Sequence, residues 1–152
     1  MFQTIVVGTD GSARALRAVE KAAEIAQRFD ATLHLVRAYK GVEQTMATAM
    51  ASGSMVTTPP ELDEAAKEEA GAVGNDLESQ AAELRSRGVH VEIHAVSGSA
   101  AAAILETVDV VGADLIVVGN RGMTGAKRIL GSVPNTLSHH AECAVLIVPT
   151  DD

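Results

Sequence analysis

A chain of 152 residues is long enough for one domain with a real core, and 47 % of it is hydrophobic but only 2 % aromatic, so Val, Ile, Leu and Ala must build that core. The formal net charge of −8, from 20 acidic against 12 basic residues, repels phosphate backbones and anionic lipid, which excludes nucleic acid and membrane surfaces as expected partners. The single Cys143 excludes an internal disulfide and fits a reducing cytoplasm, and no apolar run approaches the roughly 18 residues that span a bilayer. The opening Met1-Phe2-Gln3-Thr4-Ile5-Val6-Val7 lacks the basic region and cleavage site of a signal peptide and reads as a first strand. Thr4 to Thr9 is a short continuous apolar run rich in β-branched residues, as expected of a strand buried on both faces. Asp10-Gly11-Ser12 turns the chain, with Ser12 as N-cap of a helix over about 13–28 marked by Leu16, Val19, Ala23 and Ala26. Thr32–Ala38 is a second apolar strand. Residues 40–60 contain Gly41, Gly53, Pro59 and Pro60 and no apolar period, which predicts a mobile loop long enough to act as a lid.

Leu62, Ala66, Val73, Leu77, Ala81 and Leu84 mark a long second helix stopped by Gly88, with Gly71 and Gly74 inside it. Val89, Val91, Ile93 and Ala95 alternate with His90, Glu92 and His94 in a third strand. Ser99 opens a third helix running through Ile104, Leu105 and Val108. Leu115–Val118 is a fourth strand ending at Gly119, Ser132 to about Ala141 a fourth helix with Pro134 in its first turn, and Ala144–Val148 a fifth strand.

Strict alternation of apolar strands and helices predicts a single α/β domain over residues 1–152: a five-stranded parallel sheet in the order 3-2-1-4-5, Rossmann-like, with helices on both faces. Ligands of such sheets sit past the carboxyl ends of the strands where the order reverses, here between the first and fourth strands. Two segments of unusual chemistry fall there: Gly8-Thr9-Asp10-Gly11-Ser12, and Gly119-Asn120-Arg121-Gly122 with the residues that follow it.

Glycines at 119, 122, 125 and 131 let backbone N–H groups approach an anion closely. Gly131-Ser132 begins a helix whose free amides and positive end favour phosphate, and Arg121, Lys127 and Arg128 add positive charge. Neither a Walker A loop nor a Gly-x-Gly-x-x-Gly turn is present. The stretch resembles the Gly-x2-Gly-x9-Gly-Ser/Thr signature of the universal stress protein family. Ile5-Val6-Val7-Gly8-Thr9-Asp10-Gly11-Ser12 and the segment from Gly131-Ser132-Val133-Pro134-Asn135 to Val145-Leu146-Ile147-Val148 are similar to that family too. One spacing departs from it, since eight residues separate Gly122 from Gly131 in place of nine.

The resemblance implies an adenine-nucleotide fold and a site for ATP, with or without Mg²⁺. Asp10 would accept hydrogen bonds from the adenosine portion, next to Thr9. Gly8 and Ala38 would line the adenine slot with Val118 beside them. Gly119 and Gly122 would approach ribose and phosphates, near Arg121, and Gly131, Ser132 and Val133 would bind phosphate oxygens. Asp10 can also cap the first turn through its other oxygen. The resemblance further implies a homodimer through the last strand, Ala144 to Val148, and that strand carries no charge to discourage pairing.

Other chemistries fit less well. His90 and His94 share a strand face but lie about 13 Å apart, too far for one metal. His139 and His140 point about 100° apart on a helix, so no metal site is expected. Cys143 has no evident base to make it a nucleophile. A phospho-receiver would need a carboxylate after the third strand, where Ala95-Val96-Ser97-Gly98 stands. The expected protein is a non-enzymatic ATP-binding stress or signalling protein with an unidentified downstream partner. A cyclic AMP binder and a slow ATPase are the alternatives.

Overall fold

The computed structural model describes residues 1–53, 59–120 and 131–150. Along the chain run β1 (Thr4–Gly8), α1 (Ala13–Phe29), β2 (Thr32–Tyr39), α2 (Val42–Ala51) and α3 (Pro59–Ser86). β3 (His90–Ser97), α4 (Ala100–Val111), β4 (Leu115–Gly119), α5 (Ser132–His140) and β5 (Ala144–Val148) follow. All strands are parallel and their order is β3-β2-β1-β4-β5, as the alternation predicts.

Because side chains alternate across a strand, each run of apolar residues feeds two cores. Ile5, Val7, Leu33, Leu35, Leu115 and Val117 face α1 and α3. Val6, Val36, Ile116 and Val118 face α4 and α5. On α1 the buried stripe is Ala18, Val19, Ala22, Ala23 and Ala26, whose small side chains let the helix lie close to the sheet. Leu16, expected in that stripe, lies in the first turn of α1, ahead of the buried residues, and stays 44 % exposed. The Asp114 carboxylate accepts hydrogen bonds from the backbone N–H groups of Gln3 (2.8 Å) and Thr4 (3.2 Å), pinning the start of β1 beside β4.

Of the expected loop over 40–60, Val42–Ala51 form a helix, and residues 54–58 lie outside the described residues. α2 follows Gly41 as its N-cap and buries none of its residues fully, so it has no core stripe for an apolar period to report. Thr45 and Thr48 hydroxyls donate to the carbonyls of Gly41 and Gln44 one turn earlier. α3 extends over the whole predicted span, and Gly71 and Gly74 have open space where a Cβ would lie. No helix among the described residues is long and apolar enough to cross a membrane.

Candidate functional site

At the carboxyl ends of β1 and β4, where the strand order reverses, lies a cavity of about 860 Å³. Gly8, Thr9 and Asp10 come to it from the end of β1, and Val36, Arg37 and Ala38 from β2. Val118 and Gly119 close it from β4. Three helices begin at its rim: α1 through Ser12, Arg14 and Ala15, α4 through Ala100 and Ile104, and α5 through Val133 and Pro134. First-turn N–H groups of a helix lack intrahelical acceptors and carry partial positive charge, so three such ends make the rim attractive to an anion.

The first turn is held by its own side chains. Thr9 N–H donates to Val36 O (2.9 Å), and Thr9 Oγ1 accepts from Gly11 N–H (3.2 Å). Asp10 Oδ1 accepts from Ser12 N–H at 2.8 Å, while Ser12 Oγ accepts from Ala15 N–H at 3.1 Å and caps α1. Asp10 is therefore an Asx turn as well as a cavity residue, with its second oxygen uncommitted to that turn. Gly11 adopts φ +80°, and a Cβ there would lie 3.0 Å from Arg37 Nη1. Arg37 reaches across to the exposed Asp76 of α3 at 3.1 Å.

Two glycines owe their place to close approach. A Cβ on Gly8 would stand 2.5 Å from Ile104 Cδ1, and one on Gly119 would stand 2.9 Å from Thr150 Cγ2. Beyond Gly119 the chain departs at Asn120, whose carbonyl accepts from Gly131 N–H at 3.0 Å. Gly131 is the N-cap of α5, without a side-chain cap, and Ser132 is its first residue.

Of the residues expected at the site, Gly8, Thr9, Asp10, Ala38, Val118, Gly119 and Val133 line the cavity. Gly131 and Ser132 stand at the adjoining start of α5. Arg121 and Gly122, together with Lys127 and Arg128, lie outside the described residues. The structure adds Arg14, Arg37, Ile104 and Thr150 to the expected set. Arg14 and Arg37 carried no motif; only their position after β1 and inside β2 could have flagged them. Thr150 lies past the last strand, where no local pattern marks it.

The comparison of the whole sequence with known families agrees with this geometry: residues 1–149 match the universal stress protein family. The chain belongs to that family. Universal stress protein Rv1636 of Mycobacterium tuberculosis is 37 % identical over 156 residues, spanning 98 % of this chain and 97 % of the relative. A solved universal stress protein in complex with cAMP is similar at TM-score 0.67 and 33 % identity, covering 99 % of this chain and 98 % of the other. Universal stress protein UspA from Lactobacillus plantarum shares the fold at TM-score 0.76 and 24 % identity, with 97 % of each chain covered. The resemblance carried by the glycine signature is thus a family membership, and the α/β order is that of its universal stress protein neighbours.

Proposed function

We propose that this universal stress protein binds an adenine nucleotide in the cavity between β1 and β4, with ATP as the preferred ligand. The observation that carries the reading is the convergence of two side-chain-free strand ends, Gly8 and Gly119, with three helix starts and two arginines, Arg14 and Arg37. The apolar lining from Val36, Ala38, Ile104 and Val118 suits a purine, and the helix starts suit phosphates. The cAMP carried by the solved relative at 33 % identity supports an adenine ligand and favours one second reading, a cyclic nucleotide.

Binding rather than turnover is the proposed activity. Asp10 is the one carboxylate among the described lining residues, and one of its oxygens is occupied by the turn. A Mg²⁺ accompanying ATP would be held by phosphates and water more than by protein ligands. The protein would act in the reducing cytoplasm as a homodimer paired through β5, with nucleotide occupancy altering the surface offered to a partner. Mass spectrometry of the denatured, untreated preparation for copurified nucleotide, followed by calorimetric titration with ATP, AMP and cAMP, tests this. ATP binding tightest supports the main reading, cAMP binding tightest supports the second, and no binding of any of them rejects both.

A further inference from the structure

Along β3, His90 and His94 stand too far apart to share one metal. The sheet register brings a different pair together. His34 of β2 is paired with Glu92 of β3, and Val36 with His94, so His34, Glu92 and His94 share one face of two neighbouring strands. His34 Nδ1 lies 2.9 Å from His94 Nε2 and 3.6 Å from Glu92 Oε2. One ligating atom from each of the three falls within 4.8 Å of the others. His34 is 5 % exposed, whereas the Glu92 side chain is 65 % exposed, so the group is walled by the sheet on one side and open to water on the other.

We propose that His34, Glu92 and His94 bind a divalent transition-metal ion of the zinc class, bridging β2 to the edge strand β3. Two imidazoles and one carboxylate with an open position is a ligand set suited to zinc, and poorly suited to Mg²⁺ or Ca²⁺, which take oxygen ligands. Nitrogens about 2.0–2.1 Å from a tetrahedral ion stand about 3.3 Å apart, so the 2.9 Å pair needs to open by only a few tenths of an ångström. Burial, foremost, keeps both imidazoles below the ordinary histidine range, and the nearby His94 adds to this at His34. Neutral rings have the lone pairs a metal takes. Without an ion the same contact is a hydrogen bond between two neutral rings, which is the competing explanation. None of the three residues lines the nucleotide cavity, so the site is separate from it.

The test uses the full chain, free of any affinity tag and stripped with chelator, titrated with ZnCl₂, CoCl₂ and MgCl₂ by calorimetry and followed by thermal unfolding. Zinc should bind at one ion per chain and raise the unfolding temperature, cobalt should give visible ligand-field absorption, and magnesium should do neither. Losing a mere outer-sphere partner costs a metal site about 10–100-fold in affinity, so His94→Ala and Glu92→Gln should each lose at least that range's lower end. Glu92→Gln is an isosteric change at an exposed side chain, so its thermal unfolding without metal should match that of the parent. His139→Ala/His140→Ala should bind zinc as the parent does. Absence of zinc binding, unchanged affinity in His94→Ala and Glu92→Gln, or loss confined to the His139/His140 variant would each overturn the proposal.

Discussion

The side-chain oxygen of Asn120 accepts two hydrogen bonds from Thr150, one from its backbone N–H at 3.0 Å and one from its hydroxyl at 2.9 Å. Asn120 N–H also donates to Val148 O at 2.9 Å, so the residue leaving β4 binds the chain leaving β5 at three points. The Thr150 methyl is thereby set against Gly119 at the cavity wall. Asn120→Ala should leave two part-buried donors unpaired and cost about 1–3 kcal/mol, since an unmade bond at a desolvated group forfeits its full hydration. Thr150→Val keeps the shape and loses one bond, so it should cost less. Chemical denaturation of both variants checks the order. Equal stabilities would show that the Asn120 contact is not what holds the tail.

Gly8 and Ile104 define the floor of the cavity in the same way. Gly8→Ala puts a methyl 2.5 Å from Ile104 Cδ1, and overpacking of this kind costs about 1–3 kcal/mol. The expected result is a small loss of stability with a clear loss of nucleotide affinity, because the displaced isoleucine must move within the site. Ile104→Val removes the clashing atom, so the double variant should recover much of both losses. Additive losses in a double-mutant cycle would mean that the two residues do not meet as described.

α2 contains no buried residue, unlike α1 with five. It packs on α3 through half-buried residues only, so its backbone bonds are thinly protected, and helices this short are marginal alone. Amide hydrogen exchange across Val42–Ala51 should run far ahead of that across Ala18–Ala26. Comparable protection of the two helices would point to a covering interaction for α2.

Cys143 sits just before β5, partly buried against the α4–α5 side of the sheet. Burial pushes its thiol above the usual range, with Asp114 and Asp109 adding to the effect. A raised thiol pKa means less thiolate at a given pH, so alkylation at about pH 8 should be several-fold slower in the folded protein than in urea. The rate should still be climbing where an ordinary thiol has levelled off. Fast alkylation of the folded chain at neutral pH would contradict this and mark an activated cysteine.

β5 is a sheet edge whose residues Val145, Leu146 and Ile147 are only partly covered. An uncharged edge of this kind pairs readily with a second copy around a two-fold axis. Ala144→Lys, at an exposed position, and Leu146→Lys and Ile147→Lys should shift the protein to monomer in light scattering. Three folded, dimeric variants would move the contact elsewhere.

The pattern of the residues by itself determined the fold. Runs such as Ile5-Val6-Val7 and Leu115-Ile116-Val117-Val118 report burial on both faces, and their alternation with capped helices leaves little freedom in strand order. That order also located the cavity mouth, and with it Gly8, Asp10 and Gly119. No apolar period marks α2, because periodicity records a buried face and this helix packs on α3 without burying a residue fully. Arg14, Arg37 and Thr150 reach the cavity only because three chain segments converge there. The meeting of His34 with His94 was decided by tertiary structure alone. They are 60 residues apart in sequence, and only the parallel register of β2 against β3 fixes which side chains become neighbours.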